Sequence, residues 1–161
     1  MEILLDKNGY NEFMKELDKL KELLLKNATD GSESFRNDPG NSWHDNFMFE
    51  ESMRNEQKIS KQINDMLEES KKIKVIKETK TENNIVKIND IVEVEFIYPN
   101  GNKEVDTLKI TGNYKSNMDS LVLEVTINSP IGQAIYHKKI QDECSYYVNG
   151  QKIMIKIIKI N

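Results

Sequence analysis

Two periods divide the chain. In the first half apolar residues recur with a helical period: Tyr10, Phe13, Leu17, Leu20 and Leu24 are spaced three, four, three, four. That is the a/d seam one helix offers a coiled-coil partner. Lys15, Glu16, Asp18, Lys19, Lys21 and Glu22 cover the outer face with mixed charge. A second stripe, Phe49, Ser52, Glu56, Ile59, Ile63, Met66, Ser70 and Ile73, keeps nearly the same spacing but is less apolar. It predicts a helix from near Asp45 to about Ile76, some 30 residues and about 45 Å long. Between the stripes, Thr29–Ser34 and Asn37–Ser42 are dense in turn residues, with Pro39-Gly40 the strongest break. The pattern predicts an antiparallel helical hairpin, the first helix either fraying or continuing irregularly through Phe35. No further helix of comparable length completes a bundle, so the hairpin is expected to project freely.

Beyond residues 77–84 the period drops to two. Val92, Val94 and Phe96 alternate with Glu93 and Glu95, and Pro99-Asn100-Gly101-Asn102 supplies a turn into a second strand from about Val105 to Thr111. Leu121, Leu123 and Val125 alternate in a third. Near the end, Asn149-Gly150 is a hairpin signal before a strand holding Ile153, Ile155, Ile157 and Ile158. Ser129-Pro130 reads as a helix start, Ser as N-cap and Pro at the first helical position. The class expected is α+β: an N-terminal antiparallel α-helical coiled-coil hairpin (1–79), then a mostly antiparallel β domain with one short helix (80–161).

Composition narrows the function classes. The chain has 161 residues and a formal net charge of -4, which argues against simple coating of nucleic acid. The charge is uneven. Residues 85–161 balance acids and bases, whereas residues 28–57 set Asp30, Glu33, Asp38, Asp45, Glu50, Glu51 and Glu56 against only Arg36 and Arg54. No apolar run approaches the roughly 20 residues of a membrane span, and the first residues lack the pattern of a signal peptide. One cysteine, Cys144, makes no internal disulfide and fits a reducing cytoplasm. Two His and one Cys exclude a thiolate–imidazole structural zinc site.

Catalytic constellations are missing. Cys144 sits in a predicted strand beside Tyr146 and Tyr147 and reads as a small core residue; His137 has no partner nearby in sequence. The segment Ser42-Trp43-His44-Asp45-Asn46-Phe47-Met48-Phe49-Glu50-Glu51 instead gathers the only Trp, a His and carboxylates at the hairpin tip. Trp43 and Phe49 can plug the hairpin end, with Asp45 as N-cap of the second helix. The compatible functional reading is a stiff acidic tip that enters a partner's cleft and offers carboxylates to a divalent cation there.

These residues resemble the bacterial Gre transcript-cleavage factors. Gly9-Tyr10 is similar to the family's Gly-Tyr before its Leu-rich helix, and Asp45-Asn46 followed by Phe49 to its Glu-Asn-x-x-Tyr tip. Val75-Ile76 falls on the Val-Ile that ends the family's second helix. Ile127-Asn128-Ser129-Pro130-Ile131-Gly132-Gln133-Ala134-Ile135 resembles its Ser-Pro-Leu-Gly-x-Ala-Leu signature. Asp142 matches the Asp of its Gly-Asp, with Gln141 in place of the Gly.

The resemblance implies an FKBP-like β domain without isomerase activity, and a monomer in the bacterial cytoplasm. Its partner would be bacterial RNA polymerase, with the nascent RNA 3′ end engaged only indirectly and no membrane. The hairpin would enter the polymerase's secondary channel, and Ser129, Pro130, Ile131, Gly132 and Ala134 would be polymerase-binding residues. The chain would be no enzyme and carry no cofactor of its own. Asp45 would act on the magnesium of the polymerase active site, with Asp38, Glu50 and Glu51 as alternatives and Ser42, Trp43, His44, Asn46 and Phe49 as tip contacts. Ser42 stands where active members carry the second tip acid. Stimulation of RNA cleavage and cleavage-free tuning of the polymerase therefore both stay open. A prolyl isomerase with a coiled-coil arm is the remote alternative.

Overall fold

A computed structural model of the chain describes residues 2–36, 47–77, 84–117 and 120–161. The elements run β1 (Ile3–Leu5), α1 (Lys7–Arg36), α2 (Phe47–Ser70), β2 (Ile73–Val75), β3 (Ile91–Ile97), β4 (Lys103–Thr111), β5 (Leu123–Thr126), α3 (Pro130–Ile135), β6 (Glu143–Val148) and β7 (Gln151–Ile160). They form two compact units, Phe13–Ile73 and a second made of Met1–Glu12 with Lys74–Asn161. The first twelve residues group with the β domain.

The helical unit follows its seam. Phe13 and Leu17 are buried on α1, and Ile59, Ile63 and Met66 on α2. Tyr10, expected on the stripe, is 37% exposed. Asn27 and Ser52 exchange hydrogen bonds across the helices, which fixes an antiparallel pairing with these two residues level. Counting one heptad back along α1 and forward along α2 sets Leu20 level with Ile59; a second heptad sets Phe13 level with Met66. At about 1.5 Å per residue the 30 residues of α1 measure roughly 45 Å, and the 24 of α2 roughly 36 Å.

The second helix ends at Ser70, not near Ile76. Lys71 and Lys72 turn the chain, and Ile73–Val75 becomes β2, paired with β1. Both Ile73 and Val75 are β-branched, and here a partner strand was available to satisfy their preference. The seam spacing that carried the helix to Ile73 was coincidental beyond Ser70.

The other unit is built on a five-stranded sheet of order β5-β4-β3-β7-β6. All neighbours are antiparallel except β4 and β5, which run parallel. The expected alternation is observed: Val92, Val94 and Phe96 on β3, Leu108 and Ile110 on β4, and Ile153, Ile155 and Ile157 on β7 all point into one core, with Ile135 of α3. The third strand starts at Leu123, two residues later than its sequence pattern, and Leu121 is fully exposed. The β6–β7 turn has positive φ at both Asn149 and Gly150, the geometry that Asn-Gly selects in a two-residue hairpin.

Within this unit two contacts anchor the N-terminal residues. Asn128 reads the backbone of Leu4 at two points: its Oδ1 accepts from Leu4 N at 2.8 Å, and its Nδ2 donates to Leu4 O at 2.7 Å. The side-chain amide thus stands in for a strand partner. Asp6 caps α1 through Oδ1, which accepts from Gly9 N at 2.7 Å. Gly9 itself packs on Gly112; a Cβ there would lie 2.1 Å from the Gly112 carbonyl oxygen. The Gly of Gly9-Tyr10 is therefore required by close backbone approach.

Candidate functional site

Asp38, Ser42, Trp43, His44, Asp45 and Asn46 lie outside the described residues, as does the expected capping role of Asp45. The structure reaches the tip at the start of α2. Phe47 is 66% exposed there, Phe49 is half-buried, and Glu50 and Glu51 are exposed. Glu50 sits in the first helical turn, where the helix dipole favours a carboxylate. Its Oε2 accepts from Arg54 Nη2 at 3.1 Å, one turn on. Both partners are exposed, so the pair stabilises the helix by about 0.3–0.5 kcal/mol and gives way easily to a stronger ligand. Glu50 and Glu51 are adjacent on a helix and so do not share a face. Among the described residues no group of three or more His, Cys, Asp or Glu side chains is placed to hold a metal ion.

The segment Ser129–Ala134 is explained largely from within. Ser129 is the N-cap of α3: its Oγ accepts from Gly132 N at 3.0 Å and donates to the Thr126 carbonyl at 2.7 Å. Pro130 follows at the first position, where no amide hydrogen is needed. Gly132 is buried against the chain that leaves β5, and an added Cβ would lie 2.0 Å from the Thr126 carbonyl oxygen. Ile131 and Ala134 are half-buried against the sheet core. Of the five residues named for partner binding, Pro130 alone is exposed.

A family model described as "Transcription elongation factor, GreA/GreB, C-term" matches residues 80–161, just over half of the chain. The chain belongs to the GreA/GreB family. Among solved structures it is similar to the GreA factor homolog 1 (Gfh1) of Thermus thermophilus, at 19% identity over 100% of this chain and 99% of that one, TM-score 0.43. It is also similar to Gfh1 of Thermus aquaticus, at 19% identity over 99% and 98% of the two chains, TM-score 0.42. A GreA/GreB factor from Nitrosomonas europaea shows 17% identity over 65% and 86%, TM-score 0.35. No curated protein matches the sequence significantly.

As a GreA/GreB-family elongation factor, the chain departs from the family's Gly-Asp at Gln141, and the backbone shows what the Gly is for. Gln141 has φ +73°, the left-handed region that favours glycine. The turn is held on both sides: Gln141 N donates to the Ile157 carbonyl at 2.8 Å, and Asp142 Oδ2 accepts from Lys139 N at 2.8 Å. A non-glycine residue pays about 1–2 kcal/mol in this conformation. Gln141→Gly should therefore raise the stability of the β domain by roughly 1 kcal/mol, read as a higher midpoint in urea at unchanged slope.

The remaining chemistry-bearing residues are structural. Burial pushes the Cys144 thiol up, away from thiolate, and its Sγ donates to the Ile155 carbonyl at 3.6 Å. Such a thiol is a poor nucleophile. Phe96 packs on Tyr98 and Tyr146, and the Tyr98 hydroxyl donates to Glu104 at 2.8 Å. The family assignment leaves the isomerase alternative without support. Sequence reasoning passed over Asn128 although it lay inside the quoted signature. No helix among the described residues is long and apolar enough to cross a membrane.

Proposed function

We propose that this chain docks on bacterial RNA polymerase and places its hairpin tip in the secondary channel, modulating elongation at backtracked RNA. What supports the reading is one juxtaposition: the family's C-terminal domain over residues 80–161 is joined to two antiparallel helices whose distal ends and connector together carry the acidic stretch. A stiff arm of roughly 36–45 Å delivers carboxylates to a point remote from its own roots. The β domain supplies the docking surface. In the Ser129–Ala134 segment contact would run through exposed Pro130, the other residues shaping the helix beneath it.

At the tip Asp45 is the matched acid. Hard oxygen ligands suit magnesium, and the ion is the polymerase's own, supplying Lewis acidity at the scissile phosphate. The chain orients a carboxylate towards that site and is a regulator of the polymerase, acting in the cytoplasm as a monomer. A second reading, an occupant of the channel that tunes the polymerase without cleavage, is favoured by Ser42 in place of the second tip acid. One carboxylate gives a cation fewer ligands and less negative field than two.

Immobilised full-length protein should retain polymerase subunits from a bacterial lysate. Acids and bases balance over residues 85–161, so shape and apolar contact should dominate and retention should fall only moderately between low and physiological salt. Recovery of no polymerase subunit would overturn the reading.

A further inference from the structure

Beyond the apolar seam the two helices are joined by a polar contact of an uncommon kind. Asn27 Nδ2 donates to the backbone carbonyl of Ser52 at 2.7 Å, and Ser52 Oγ donates to the backbone carbonyl of Asn27 at 3.0 Å. Both residues are half-buried. Each acceptor is a carbonyl within a helix, which has a second lone pair to offer. Such reciprocity demands close backbones, and Ser52 is small enough to permit it. Apolar cover near this level is partial: Leu24 and Phe49 are half-buried, whereas Leu25 is 71% exposed, Met53 46% and Phe47 66%.

We infer that Asn27 and Ser52 are positioning residues, a polar staple that holds the tip-bearing ends of α1 and α2 together past the seam. Residues 28–36 of α1 and 47–51 of α2 project beyond it, roughly 13 Å and 7 Å of helix. Leucine packing resists separation but has little directional preference. Two crossed hydrogen bonds fix separation, axial register and the facing sides at once. A polar pair at the end of a largely apolar seam specifies geometry at some cost in stability. Water can replace either bond, so the distal ends open without melting the stem. The inference concerns the hairpin itself and stands apart from the partner its tip engages.

Hydrogen exchange on the full-length protein tests it. Ser52→Ala removes one donor, and Asn27→Asp removes the other at nearly constant shape. Each should speed amide exchange over 28–36 and 47–51 by roughly five- to thirtyfold, the factor of one or two kcal/mol. Amides of 13–24 and 56–66 should keep wild-type rates, and Ser52→Thr, which retains the hydroxyl, should stay near wild type throughout. Unchanged exchange at the distal ends in both donor-deleting variants would overturn the staple. So would an equal rise along the whole stem, the mark of a general loss of stability.

Discussion

Gly132→Ala should be among the most damaging single-methyl additions in the β domain. The added carbon would sit 2.0 Å from the Thr126 carbonyl oxygen and 2.8 Å from Ile127 Cα, both backbone atoms that cannot rotate away. Relief requires α3 to move off the sheet. That breaks the Ser129 Oγ to Gly132 N cap at 3.0 Å and lifts fully buried Ile135 from the core. The cost should reach about 3 kcal/mol or more, the upper range for overpacking. Thermal unfolding should then begin roughly 10 °C or more below wild type. Gly101→Ala is the control. Gly101 has φ +83° but nothing within 4 Å of an added Cβ, so only the backbone conformation opposes it, at about 1 kcal/mol. Equal melting temperatures for the two variants would refute the close-approach argument.

Asp45→Ala should lower any RNA cleavage by stalled elongation complexes about a hundredfold, the scale on which loss of one aimed electrostatic group is felt at a reacting centre. Binding should survive. Asp45 precedes α2 by two residues, and loss of a helix cap costs about 1 kcal/mol, too little to unfold a seam holding Phe13, Leu17, Ile59, Ile63 and Met66. The variant should therefore still compete with wild type for polymerase. Ser42→Asp adds the second carboxylate and should raise cleavage. If Asp45→Ala cleaves like wild type, the carboxylate in use is Asp38, Glu50 or Glu51. Glu50 can be tested together with its Arg54 partner, whose hold on it is weak. If wild type and Ser42→Asp are both silent while polymerase is bound, the chain is a channel occupant that tunes without cleaving.

The sequence was most legible where one local period dominated. The seam from Phe13 to Leu24, the alternation in β3 and β7, the Asn149-Gly150 turn and the Ser129-Pro130 helix start are each decided by residues within a few positions of one another. Failures share a different cause, dependence on a distant partner. Ile3-Leu4-Leu5 is too short to show a period and becomes β1 only because Ile73–Val75 pairs with it and Asn128 reads Leu4. The same pairing cut α2 short of Ile76. Gly9 carried the family resemblance, but its reason, the approach of Gly112, lies about a hundred positions away in sequence. The Asn27–Ser52 pair had a signal: continuing the three-four spacing past Leu24 lands on Asn27, and Ser52 was already on the second stripe. Polar residues at seam positions read as weak packing, whereas here they bond to the opposite backbone. Of the candidate site, Phe49, Glu50 and Glu51 are placed, and the matched acid Asp45 is not among the described residues.

The chain enters the β unit, leaves it, and returns, and this imposes an order on synthesis. Leu4 emerges early, yet the side chain that completes its backbone bonds, Asn128, follows 124 residues later. At about 5–20 residues per second the ribosome takes roughly 6–25 s to supply it. The helices between them need only each other, and local helical contacts form in milliseconds or less. The hairpin is thus expected to be folded while Ile3–Leu5, an apolar strand that β2 pairs on one edge only, still waits for Asn128. For those seconds the nascent chain presents the kind of open β edge on which misassociation begins. Slowing translation between Ser70 and Asn128 would lengthen that exposure without altering a single contact of the finished protein.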